Sequence, residues 1–176
     1  GTSGNHRPLD AFLESDERFP ETNTGSPRTL RDFMAWAREA CGNPEDFHHF
    51  LILSGHGSGT TEDFLMKDEA SMDSLTIDEL TEVLAALKRT RKGQTLELLG
   101  MDACYMAMGE VAYELRKQVD ILVAAEGLEP AFGWPYDRIL KGAKRKQKLL
   151  GRRHLRPIEL AKGIVDEYVN CYADYD

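Results

Sequence analysis

Two residues of this 176-residue chain could carry out covalent chemistry if the fold brings them together. Cys104 lies in TLELLGMDACYM (Thr95–Met106), an apolar run, Thr95–Leu99, that leaves through Gly100 into Met101-Asp102-Ala103-Cys104. His56 lies in FLILSGHGSG (Phe50–Gly59), a second apolar run, with a glycine on either side of the histidine. A thiolate attacks acyl carbons and an imidazole exchanges protons near neutral pH, so the pair has the parts of a nucleophilic dyad. Each also has a plainer reading, as a small buried thiol and as a loop histidine. If both runs are neighbouring parallel strands, both residues arrive at the sheet edge above which α/β proteins bind ligands.

The elements that must position them follow from hydrophobic period and turn chemistry. Ser26 predicts an N-cap with Pro27 at the first helical position, and Leu30, Phe33, Met34 and Ala37 make a helical stripe that Gly42-Asn43-Pro44 stops. Phe50–Ser54 predicts a strand covered on both faces. A loop with Glu62, Asp63, Asp68, Glu69 and Asp73 runs from Ser58 to about Ser74. Thr76-Ile77-Asp78-Glu79 has the form of a capping box. It opens a helix on Ile77, Leu80, Leu84 and Leu87, closed by Lys88, Arg89, Arg91 and Lys92.

After the Cys104 strand come a helix on Met108, Val111, Ala112 and Leu115, a strand Ile121–Ala125 and the loop Glu126–Tyr136. A basic loop Lys141–Arg156 precedes a last helix that starts at Pro157 and contains Ala161, Ile164, Val165 and Tyr168. Alternating strands and helices predict an α/β fold with a mainly parallel sheet, right-handed crossovers and all strand C-termini on one edge.

Composition narrows the function classes. The net charge of −8 disfavours nucleic acid or an anionic membrane as the partner and suits cationic ligands. Three cysteines without a CxxC pair fit neither a disulfide framework nor a zinc ribbon, so a reducing, cytoplasmic setting is the simpler expectation. No run reaches the roughly 18 apolar residues of a membrane span. Gly1-Thr2-Ser3-Gly4 reads as a tag remnant, so residues 1–21 are set apart as an irregular N-terminal segment and secretion stays the alternative. Gly55, Gly57 and Gly59 do not make the GxGxxG of a dinucleotide site.

LILSGHGSG (Leu51–Gly59), LLGMDAC (Leu98–Cys104) and AAEGLEPAFGWPY (Ala124–Tyr136) together resemble the clostripain-like cysteine peptidases of the caspase, gingipain and legumain clan. TNTGSPRTLRDFMAWA (Thr22–Ala37) and DSLTIDEL (Asp73–Leu80) resemble that family too. The 48 residues between His56 and Cys104 suit the spacing of about 50 in caspase-type peptidases. The resemblance implies a caspase-like three-layer α/β/α sandwich over 22–176 and a cysteine endopeptidase cutting after Arg, and after Lys as well.

In that reading Cys104 is the nucleophile, His56 its partner, and the N–H groups of Gly57 and Cys104 form the oxyanion hole. Asp102 lies at the base of the specificity pocket, and Glu126, Glu129 and Trp134 line it. No cofactor is needed for the chemistry, although some members use calcium, for which Asp63, Asp68 and Glu69 are the candidates here. The partner is a polypeptide with a basic residue before the scissile bond, with neither nucleic acid nor membrane. Activation by self-cleavage in Lys88–Lys92 or Lys144–Arg156, or by a regulator, is a further implication. The rival from another class is a catalytically silent module that binds basic peptides or a partner protein. Asp102 has a rival role as the cap of the following helix. The family's sheet begins with a strand that Gly1–Pro20 is not apolar enough to supply, so a smaller sheet, or one completed by another protein segment, is expected.

Overall fold

The computed structural model describes residues 22–40, 48–60, 65–90, 93–152 and 154–173. The expectations for Gly42-Asn43-Pro44 and Asp63 fall outside them. In chain order the elements are α1 (Pro27–Ala40), β1 (Phe50–Ser54), β2 (Leu65–Asp68), β3 (Asp73–Leu75), α2 (Ile77–Thr90), β4 (Leu98–Asp102), α3 (Gly109–Leu115), β5 (Leu122–Ala124), α4 (Tyr136–Leu149) and α5 (Pro157–Tyr172). The main sheet is parallel, in the order β1-β4-β5, and its register sets Ser54 opposite Asp102. No helix among the described residues is long and apolar enough to cross a membrane.

The period of two along β4 divides the core. Leu99 and Met101 pack with Leu30, Leu51, Leu53, Leu80, Leu84, Val111 and Leu115, which brings α1, α2 and α3 onto one face. Leu98 packs on the other with Trp134, Ile139, Ala161 and Ile164, which brings α4 and α5 there. The result is the expected α/β/α sandwich. Fully buried leucines such as Leu98 and Leu99 each contribute roughly 1.5–3 kcal/mol of transfer free energy. The capping box is present: Thr76 Oγ1 accepts from the Glu79 N–H at 3.2 Å, and Glu79 Oε2 accepts from the Thr76 N–H at 3.0 Å.

The sequence expectations need five corrections. The strand that leads to Cys104 is Leu98–Asp102 rather than Thr95–Leu99, so Gly100 sits inside it. A Cβ on Gly100 would lie 2.9 Å from the Trp134 ring, so glycine here makes room for packing rather than ending the strand. β1 is covered on one face only, because α4 and α5 lie over β4 and β5; Phe50 and Ile52 are each 37% exposed. Phe33 and Val165 also remain half exposed despite their place in apolar stripes.

Two segments read as loops contain regular structure. Lys141–Leu149 belongs to α4. Within Ser58–Ser74 lies the antiparallel β2–β3 pair. Its buried Asp68 accepts from Thr24 N–H at 2.9 Å, Thr24 Oγ1 at 3.2 Å and Ser71 N–H at 2.9 Å. The Ser71 and Thr24 N–H groups hold its carboxyl below the usual range. The acidic segment therefore fastens the chain before α1 to the hairpin.

Gly100→Ala should destabilise the protein by roughly 1–3 kcal/mol through overpacking against Trp134. The urea unfolding midpoint measures this, and an unchanged midpoint would show that the ring has room to move.

Candidate active site

The segments that carry His56 and Cys104 lie side by side because β1 and β4 are neighbours in register. The Gly55 N–H donates to the Asp102 carbonyl at 3.1 Å, joining the two strand ends. His56 follows, exposed, and its own carbonyl accepts from the Met66 N–H of β2 at 3.0 Å. The chain then lies down on the Cys104 turn. A Cβ on Gly57 would stand 2.9 Å from the Cys104 carbonyl oxygen and the Met106 sulfur. One on Gly59, at φ +61°, would meet the Met108 sulfur at 2.3 Å. The two glycines are what permit so close an approach.

Half-buried Cys104 opens a strained turn. Tyr105 has φ +62°, a left-handed conformation that a bulky residue rarely adopts. Backbone bonds of 2.9 Å from Tyr105 N–H to the Gly127 carbonyl and from Ala107 N–H to the Ala125 carbonyl fasten this turn to the chain after β5. Cys104 Sγ accepts from the Glu129 N–H at 3.3 Å.

Beside the thiol is a pair of acids. Asp102, 4% exposed, accepts at Oδ2 from Ser54 Oγ at 3.1 Å, from the Trp134 N–H at 3.1 Å and from the Tyr136 hydroxyl at 2.7 Å. Glu129 Oε1 accepts from Trp134 Nε1 at 3.0 Å, while its Oε2 is buried with no partner among the described residues. Burial, first, and the adjoining Asp102 carboxyl, second, push Glu129 up to about 8, against the pull of the Trp134 N–H. Burial and the bond to Asp102 likewise raise the Tyr136 hydroxyl above its ordinary value.

Of the residues singled out from sequence, Asp102, Glu129 and Trp134 come together beside Cys104. Glu126 is exposed and bonds to none of them. The rival role of Asp102 as a helix cap falls away, because the N-cap of α3 is Met108. Glu69 is exposed, and among the described residues no group of three or more His, Cys, Asp or Glu could hold a metal ion. Sequence reasoning missed Ser54, which only the strand register brings to Asp102. It also missed Tyr172, whose hydroxyl donates to the Gly133 carbonyl at 2.6 Å from the far end of α5. Tyr136 stands at the end of the EGLEPAFGWPY stretch, where its hydroxyl could have been proposed as a donor.

A model of the clostripain family matches residues 12–176. Clostripain from Hathewaya histolytica is 30% identical over an alignment 158 positions long that covers 75% of this chain and 28% of that protein. A secreted C11 cysteine protease from Bacteroides thetaiotaomicron, solved with an irreversible peptide inhibitor, has a TM-score of 0.67 at 19% identity, covering 87% of this chain and 39% of that one. An inactive zymogen C11 protease from Parabacteroides distasonis has a TM-score of 0.63 at 20% identity, covering 88% and 38%. The chain thus spans between a quarter and two fifths of the length of these proteins. The two solved structures speak to fold, and the fold is the caspase-like one.

Glu129 gives stability a sign with pH. Its carboxyl titrates near 8 in the folded protein against an ordinary 4.5, so between those values the folded state holds more protons than the unfolded one. Its contribution to stability is therefore expected to decline as pH rises through that window. Glu129→Gln should flatten this part of the profile; denaturant unfolding at several pH values reads it, and identical profiles would assign any decline to another group.

Proposed function

Because this chain belongs to the clostripain family of cysteine peptidases, we propose that it is an endopeptidase cutting after arginine, with lysine the weaker choice, through Cys104 and His56. The Cys104 thiolate adds to the scissile carbonyl carbon, and the oxyanion that forms is met by the N–H groups of Gly57 and Cys104. No protein acceptor takes either N–H among the described residues. His56 gives its proton to the leaving amine, which departs and leaves a thioester. It then draws a proton from the water that hydrolyses that thioester. An exposed ring on a glycine-flanked turn suits both roles, since it must meet the leaving group and then solvent.

The observation that carries the specificity is the Asp102–Glu129 pair, buried and one backbone hydrogen bond away from the Cys104 sulfur. A guanidinium offers planar, paired N–H donors to such oxygens, whereas an ammonium offers a compact point charge, hence arginine ahead of lysine. Trp134 forms the wall behind the acids, and Glu126 is left to the exposed part of the loop.

The Parabacteroides neighbour is described as an inactive zymogen, which supports activation by processing here as well. Of the basic segments, Lys144–Lys148 lies within α4 and has to unwind before it can be cut.

Hydrolysis of short fluorogenic peptides ending in Arg, Lys or Asp tests this reading. The Arg peptide should be turned over fastest, Cys104→Ala should abolish turnover, and Asp102→Asn should lower kcat/KM for Arg about a hundredfold. Turnover that survives Cys104→Ala would overturn the dyad. Binding of Arg peptides without hydrolysis by a mature sample, with and without calcium, would favour the silent receptor. Intact mass before and after activity appears reads the processing; full activity at one unchanged mass would remove it.

A further inference from the structure

We infer, building on the reading of Asp102 and Glu129 as the substrate pocket, that this pocket exchanges a proton for its cation: the free protein holds one proton between the two carboxyls, and the basic side chain enters as that proton leaves.

The two acids are not equivalent. Asp102 Oδ2 is met by three donors, Ser54 Oγ, the Trp134 N–H and the Tyr136 hydroxyl, which is the surrounding of an ionised carboxylate. Glu129 has one donor, Trp134 Nε1, on Oε1, while Oε2 is buried with none. A buried oxygen with no donor is costly as an anion, but as an O–H it can donate to the adjoining Asp102 carboxyl. The groups that face Glu129 are Asp102 from β4, Cys104 from the turn beyond it, Tyr136 from the head of α4 and Tyr168 from α5. Among these there is no lysine, arginine or histidine, so none of them balances a second negative charge. Burial and the adjoining Asp102 carboxyl push Glu129 up to about 8.

A bound guanidinium or ammonium changes the balance, because it supplies both the donor and the opposite charge that Oε2 lacks. The exchange conserves charge and atoms: the neutral Glu129 carboxyl gives its O–H proton to buffer, the cation takes its place, and no bond to carbon forms or breaks. Affinity for a cation should therefore rise with pH below about 8, approaching tenfold per unit, and level off above it.

The test is calorimetric titration with agmatine, the guanidinium that remains when arginine loses its carboxyl, in phosphate and in Tris, whose ionisation enthalpies differ. Close to one proton should be released per agmatine bound well below the titration of Glu129, falling towards none as pH rises past it. Glu129→Gln should bind agmatine without release across that range. Binding with equal heats in the two buffers would overturn the proton exchange and leave the pocket reading intact. Release that persists in Glu129→Gln would overturn it by moving the proton to another group. Absence of agmatine binding at millimolar concentration would overturn the pocket reading and the exchange with it. The wild-type comparison of buffers needs no variant, so a poorly folding Glu129→Gln protein cannot mask the outcome.

Discussion

Asp102 Oδ2 takes hydrogen bonds from the end of β1, from the loop after β5 and from the first residue of α4. A charged acceptor buried among three donors from separate parts of the chain is satisfied only when all three have docked. The same atom lies 2.8 Å from where a Cβ of Gly133 would stand, at φ +63°, so the loop passes the carboxylate with no side chain between them. Sheet register, loop path and helix start are consequently parts of one arrangement. Cys104 follows Asp102 by two residues and inherits its position from it.

The histidine side is held by a different kind of contact. Glycines at 57 and 59 let backbone rest on backbone and on methionine sulfur, with Thr60 N–H donating to Met108 Sδ at 3.4 Å. The β2 strand supports this loop from behind through the His56 carbonyl. Polar satisfaction thus fixes Asp102, and steric proximity fixes the approach of the His56 loop to the Cys104 turn.

Features encoded within a few residues were legible in the sequence. The Thr76–Glu79 box, the strand ends at His56 and Cys104 and the run from Glu126 to Tyr136 are of this kind. α4 was misread because the Lys- and Arg-rich run after Ala143 masks a short apolar stripe, Tyr136, Ile139, Leu140 and Ala143, of which only Ile139 is buried. Its Lys, Arg, Gln, Leu and Ala residues are nevertheless good helix formers, and past Gly142 no breaker comes before Gly151. Gly100 was misread because its reason is a ring 34 positions later in the chain. The partnership of Ser54 with Asp102 depends on register, and that of Tyr172 with Gly133 on packing across 39 positions. No local pattern announces either.

The Tyr172 bond has a bearing on when the site can come into being. Its hydroxyl, in the final residue of α5, grips the Gly133 carbonyl of the loop that carries both pocket donors from Trp134. A chain emerging from the ribosome therefore presents His56 and Cys104 long before it presents the residue that steadies the pocket. Until α5 has docked, the loop that sets Trp134 against Asp102 and Glu129 lacks that hold, so the acid pair is assembled late.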